Sequence, residues 1–166
     1  MRKGWTIRSD ASLRENARAI IPALLEAFLS QGGDVIAHPG MKKKLHAMRI
    51  DGKRVRYGME IFTEVFGGRY EKKLEEIKTL LDVMGTIHDC DVHLPGIQHR
   101  IEEIRRANRR QAATAERIRT RGLTAFAREL RRRRAELFEE MTKTLRRWER
   151  DHFLPSVVRS MSERST

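Results

Sequence analysis

Residues 41–66, MKKKLHAMRIDGKRVRYGMEIFTEVF, decide how this chain folds. Their apolar residues recur at intervals of three and four, the period of a helix with one buried face. On a wheel of 100° per residue, Met48, Val55, Met59, Phe62 and Phe66 fall within about 60° of one another and define a core face. Lys42, His46, Arg49, Lys53, Arg56 and Glu60 fall within about 80°, centred roughly opposite. A charged row of this kind is most often a solvated surface. Here Ile50, Tyr57 and Ile61 lie beside it, so water screens it less and each contact with an anion is strengthened.

Outward from this segment nothing reads as a strand. A first helix is expected from Ser12, where Glu15 three residues on makes a capping box. Its stripe is Leu13, Ala17, Ile20, Leu24 and Phe28. Pro22 should kink or restart it, and Gln31, Gly32 and Gly33 should end it, with Pro39-Gly40 completing a loop. The second helix stops at Gly67-Gly68. A third is expected from about Arg69 to His93, broken by Pro95-Gly96. The Arg-rich stretch that follows is weakly amphipathic through Ile97, Ile101 and Ile104. Its second half has almost nothing to bury, so residues 107–121 read as a mobile connection. A long last helix covers about Leu123 to Arg150, and Phe153 to Met161 add a short one. The expected fold is all-α, an antiparallel bundle of about four long helices, with residues 1–166 as one domain.

Lysine and arginine outnumber aspartate and glutamate by 35 to 23, giving +12 and a pI near 10.6. That excess favours an anionic partner: nucleic acid, acidic lipid or a phosphate polymer. Cys90 is the only cysteine, which excludes an intrachain disulfide and suits a reducing cytoplasm. No apolar run follows the N-terminal charges, so no signal peptide is expected. The longest unbroken apolar run, Ala19 to Leu25, is too short to insert into a membrane.

Two further places stand out. Gly85, His88, Asp89, Asp91 and His93 cluster late in the third helix. A glycine inside a helix costs about 1 kcal/mol relative to alanine, which suggests a close helix contact there. His46, His88-Asp89 and Asp151 can be forced into the pattern of an HD-type metal phosphohydrolase. A two-residue motif arises often by chance, however, and adjacent helical residues diverge by about 100°. In the last helix Leu123, Phe126, Leu130, Leu137, Met141, Leu145 and Trp148 form an apolar stripe into which Arg134 intrudes. A cation there needs a partner. An internal ion pair with Asp89 or Asp91 is the first reading and a ligand phosphate the second; both hold if the acids orient the arginine, and Arg134 is counted with the binding cations.

The second and third helices together resemble the CHAD domain (conserved histidine α-helical domain). The matching residues are Leu45-His46-Ala47-Met48-Arg49-Ile50, Lys53-Arg54-Val55-Arg56-Tyr57 and Glu60, then Leu80-Leu81, Met84-Gly85 and His88-Asp89-Cys90-Asp91-Val92. The motif core occupies residues 41–93, and the last helix is similar more loosely through Arg134, Leu137-Phe138 and Trp148. The resemblance implies a helical fold with a basic groove, binding of inorganic polyphosphate, and association with polyphosphate granules. It makes His46, Arg49, Lys53, Arg54, Arg56 and Tyr57 ligand-side residues, with Lys42 continuing their row. His88, Asp89 and Asp91 would support them, as would Glu60. Typical members carry two copies of the pattern; this chain has one, so either a single bundle suffices or two chains assemble the whole, and a homodimer is the expectation.

The expected function is therefore binding of polyphosphate or a similar polyanion, without catalysis, metal or cofactor. No nucleophile with an adjacent base is evident. A nucleic-acid-binding module is the main rival, although no helix-turn-helix, zinc-finger or RNA-recognition signature is present and aromatics are sparse at 6%. The metal phosphohydrolase is the enzyme rival.

Overall fold

The computed structural model describes residues 6–110 and 117–162. These form six α-helices: α1 (Leu13–Leu29), α2 (Gly32–Ala37), α3 (Lys42–Ile61), α4 (Gly68–Arg110), α5 (Arg121–Arg150) and α6 (Phe153–Ser160). A single 3₁₀ turn, Thr63–Val65, follows α3, and no strand occurs among the described residues. The all-α reading holds, with α1, α3, α4 and α5 as the four long helices.

The capping box forms as the spacing requires. Ser12 Oγ accepts from the Glu15 amide, and the Glu15 carboxylate accepts from the Ser12 amide at 2.8 Å. Pro22 neither ends nor restarts α1, because Ile20, Ile21, Leu24, Leu25 and Phe28 bury on either side of it. Hydrophobic burial there outweighs one lost backbone hydrogen bond. Residues 32–37, expected as loop, make the short helix α2, anchored by buried Val35.

The main correction concerns α4. Pro95-Gly96 was expected to break the third helix near His93, yet α4 runs 43 residues with Pro95 inside it. Proline has no amide to donate to the carbonyl four residues back, here that of Asp91. Lys42 Nζ donates to that carbonyl at 3.2 Å, so the orphaned acceptor is satisfied from another helix. Residues 107–110, counted in a mobile connection, are the last turn of α4. Of the rest of that connection, residues 111–116 lie outside the described residues. Beyond them Asn108 clasps Ile118 through both its backbone groups, at 2.8 and 3.0 Å, and sets the start of α5.

The core lies where α1, α3, α4 and the second half of α5 meet, closed at one end by α6. Phe28, Met48, Val55, Met59, Ile77, Met84, Met141 and Trp148 fill it. Two glycines of α3 set how closely the helices approach. A Cβ on Gly52 would lie 2.5 Å from Leu81 Cδ2 and 2.9 Å from the Phe28 ring; one on Gly58 would lie 2.9 Å from Leu24 Cδ1. Residues 13–37 are, by length and composition, apolar enough to cross a membrane, with mean hydropathy 1.3 over their most apolar window. In the fold α1 turns its apolar side chains into the bundle core.

Gly85, by contrast, does not mark a tight crossing: a Cβ there would meet only the Arg49 guanidinium, at 3.8 Å. The two glycines should therefore respond oppositely to alanine. Gly52→Ala overpacks the core and should lose about 1–3 kcal/mol. Gly85→Ala removes backbone freedom without a clash and should gain roughly 0.5–1 kcal/mol. Urea unfolding of the two variants measures both signs.

Candidate functional site

A cleft of about 410 Å³ opens between α3 and α4. Arg49, Lys53, Arg56 and Tyr57 form its α3 wall; Leu81, Asp82, Gly85, Thr86 and Asp89 form the α4 wall. Spacings of three and four put each set on one helix face. Gly52, packed against Leu81, draws the two walls together below the cleft.

Arg49 is the unusual member. Its guanidinium lies over the bare backbone of Gly85, and its Nε is shielded from solvent with no hydrogen-bond partner. A buried charged donor left unmade costs more than a typical hydrogen bond contributes. Lys53 has no carboxylate partner among the described residues. Arg56 is held by Glu60 at 2.9 Å, and that hydrogen bond raises the affinity of its guanidinium for its proton. Lys78 approaches the same Glu60 oxygen at 3.8 Å. Along the same row of α3 as Arg49, the His46 and His88 rings face each other with centroids 5.0 Å apart, joining α3 to α4. Two acids, Asp82 and Asp89, offset part of the cationic charge.

Three expected ligand-side residues take other places. Arg134 is not in the cleft. It makes the internal ion pair: Nε donates to Asp91 Oδ1 at 2.8 Å, Nη2 to Oδ2 at 3.2 Å and to the Pro39 carbonyl at 2.9 Å. Two parallel bonds to one carboxylate and a third to the carbonyl occupy Nε and Nη2 without a ligand. Lys42 also serves Asp91, at 3.4 Å from Oδ1. Arg54 lies off the row and pairs with Asp51 at 2.7 Å. Asp82 and Thr86 were not singled out in the sequence, although their spacing to Gly85 and Asp89 already placed them on the same face.

The dispersed metal set does not assemble. Trp148, close to Asp151 in sequence, bonds Glu76. His88 lies twelve residues, about 18 Å, further along α4. Asp151 pairs with Arg150 instead. Among the described residues no group of three or more His, Cys, Asp or Glu is placed to hold a metal ion. Cys90 is buried, and that burial pushes its thiol above the usual range, away from thiolate chemistry.

Fold and site together define an all-helical bundle with a cation-lined cleft that joins His46 and Arg49 of one helix to the Gly85–Asp89 turn of the next. The chain belongs to the CHAD domain family, whose model matches residues 4–95, more than half of its length. No curated protein and no solved structure matches it.

The Asp91 carboxylate is only 6% exposed and Arg134 18%. Arg134→Leu should therefore leave the buried carboxylate with Lys42 as its one cationic partner among the described residues and cost about 3 kcal/mol, while Arg134→Leu combined with Asp91→Leu should cost markedly less. A double-mutant cycle on unfolding free energies reads the difference.

Proposed function

We propose that the protein is a binding module for inorganic polyphosphate, with the α3–α4 cleft as its site, and that it carries out no reaction on the chain it holds. The observation that carries this is the unpartnered, buried Arg49 Nε beside Lys53 and Arg56. A phosphate oxygen supplies the missing acceptor, and a guanidinium can hold two such oxygens at once. Membership of the CHAD family supports the same ligand. The single motif copy supports a homodimer in which a second chain supplies the other half of the groove.

With Lys42 committed to Asp91, the open row shortens to His46–Arg56. Ten residues at 1.5 Å make it about 15 Å long. Affinity should climb with chain length until a polyphosphate spans that row, then flatten. Neutralisation of three cations gives log K against log salt a slope near −2, taking the coefficient for single-stranded nucleic acid.

Calorimetric titration of short polyphosphates of defined length tests this. Arg49→Gln should weaken binding about tenfold or more with helicity unchanged, since it removes a charge-assisted contact. Asp82→Asn should strengthen it, most at low salt, by removing a like charge from the opposite wall. Equal affinity for pyrophosphate and longer chains would sink the reading, and phosphate release by pure protein would show catalysis instead.

A further inference from the structure

The charge excess does not reside at the cleft. Residues 97–134 hold thirteen arginines and four glutamates, a net +9 of the whole-chain +12; the other residues, with 22 basic and 19 acidic side chains, carry only +3. In the fold the described residues of this segment form an arm. None of the described residues between 88 and 136 belongs to the main core, and the arm's two antiparallel helices close on their own buried seam of Ile101, Ile104 and Ala127. The family match ends at residue 95, before the arm begins.

Its cations are of one kind: no lysine occurs between Lys78 and Lys143. Arg100, Arg105 and Arg132 are paired with glutamates of their own helices. Arg106, Arg109 and Arg110 of α4, and Arg128, Arg131 and Arg133 of α5, are exposed and have no carboxylate partner among the described residues. Unpaired like charges on a rigid pair of helices repel one another, a cost that a bound polyanion removes. From Gly85 to Arg106 is 21 residues, about 32 Å along α4. That is several times the screening length of roughly 8 Å at physiological salt, so occupancy of the cleft leaves the arm's field unchanged.

We infer that the arm is a second, independent binding surface and that its ligand is nucleic acid, gripped by its phosphate backbone. The six arginines stand exposed on two neighbouring helices rather than along one row. A duplex presents two strands of phosphates on a broad face, which suits cations spread over two helices better than a single thin chain does. Exclusive use of arginine fits this ligand, since its planar fork holds phosphate oxygens in pairs. A lipid surface would need a continuous apolar stripe among the cations. Here Val92 and Phe126 border a shallow hollow with His93, Gly96 and Ile97 at the base of the arm, away from its tip.

The test uses the full chain, a labelled DNA duplex of about 24 base pairs, roughly 80 Å long, and a short polyphosphate. An arm variant replaces Arg106, Arg109, Arg110, Arg128, Arg131 and Arg133 with glutamine; a cleft variant carries Arg49→Gln and Lys53→Gln. The arm variant should bind the duplex at least about tenfold more weakly, with a flatter salt slope, and bind the polyphosphate as before. The cleft variant should show the reverse. Undiminished duplex binding by the arm variant overturns the inference, and so does equal loss of duplex binding in both variants. Tighter capture of the full chain by phosphatidylserine–phosphatidylcholine vesicles than by duplex at matched phosphate also overturns it. A sixfold Arg→Lys variant should keep most of the salt slope, and an α5-only variant (Arg128, Arg131 and Arg133 to Gln) gives the same readout where circular dichroism finds the sixfold one less helical. Because the polyphosphate arm of the experiment reads the cleft alone, failure there is separable from failure of the arm.

Discussion

The buried carboxylate of Asp91 is the point on which the rest of the architecture turns. Taking one carboxylate out of water costs several kcal/mol unless its partners are close and well aligned. Arg134 from α5 meets it with two parallel hydrogen bonds, and the same guanidinium reaches the Pro39 carbonyl in the loop before α3. Lys42, the first residue of α3, serves both the carboxylate and the backbone carbonyl of the same residue. One residue thus ties three long helices and a loop at the place where the bundle gives way to the arm. The carbonyl that Lys42 satisfies is the one Pro95 leaves without an amide, so the junction also lets α4 pass through a proline and continue another four turns.

That junction divides the molecule into parts with different electrostatics. Below it, positive and negative side chains nearly balance, and the cations that matter are few and sheltered: Arg49 over Gly85, Lys53 beside it, Arg56 held by Glu60. Above it the charge is large, exposed and mostly unpaired. Shelter and number are two physical routes to anion binding. A few poorly screened cations give strong individual contacts and sensitivity to ligand shape; many screened ones give a long-range, salt-dependent pull. The chain carries cations of both kinds, about 30 Å apart along one helix.

The identity of α3 was legible without coordinates because a helical period sorts its residues by face. Met48, Val55 and Met59 went to the core and Arg49, Lys53 and Arg56 to the opposite side, as their spacing demands. The Ser12–Glu15 cap and the short last helix were legible for the same reason: each rests on residues within one or two turns of each other. What failed were judgements that treated a local signal as final. Pro95 reads as a stop, and Gly32-Gly33 as a loop, only while nothing distant compensates.

By itself, then, the sequence determined the helical class, the faces of α3 and α4 and the presence of a cationic row, all of which follow from spacings of three and four; the family was legible in the motif residues themselves. Only the tertiary structure decided which of the expected ligand-side cations are paired across helices. Lys42 and Arg134 have the same chemistry as Lys53 and Arg49, and no periodicity separates them. Asp91, brought within 2.8–3.4 Å by packing, takes Arg134 and Lys42, whereas Asp51 takes Arg54 from one turn away on α3 itself, at 2.7 Å. Whether a cation is spent on an internal carboxylate or left for a ligand depends on contacts across helices, 43 residues apart in sequence for Arg134 and 49 for Lys42. Such pairings belong to the fold as a whole.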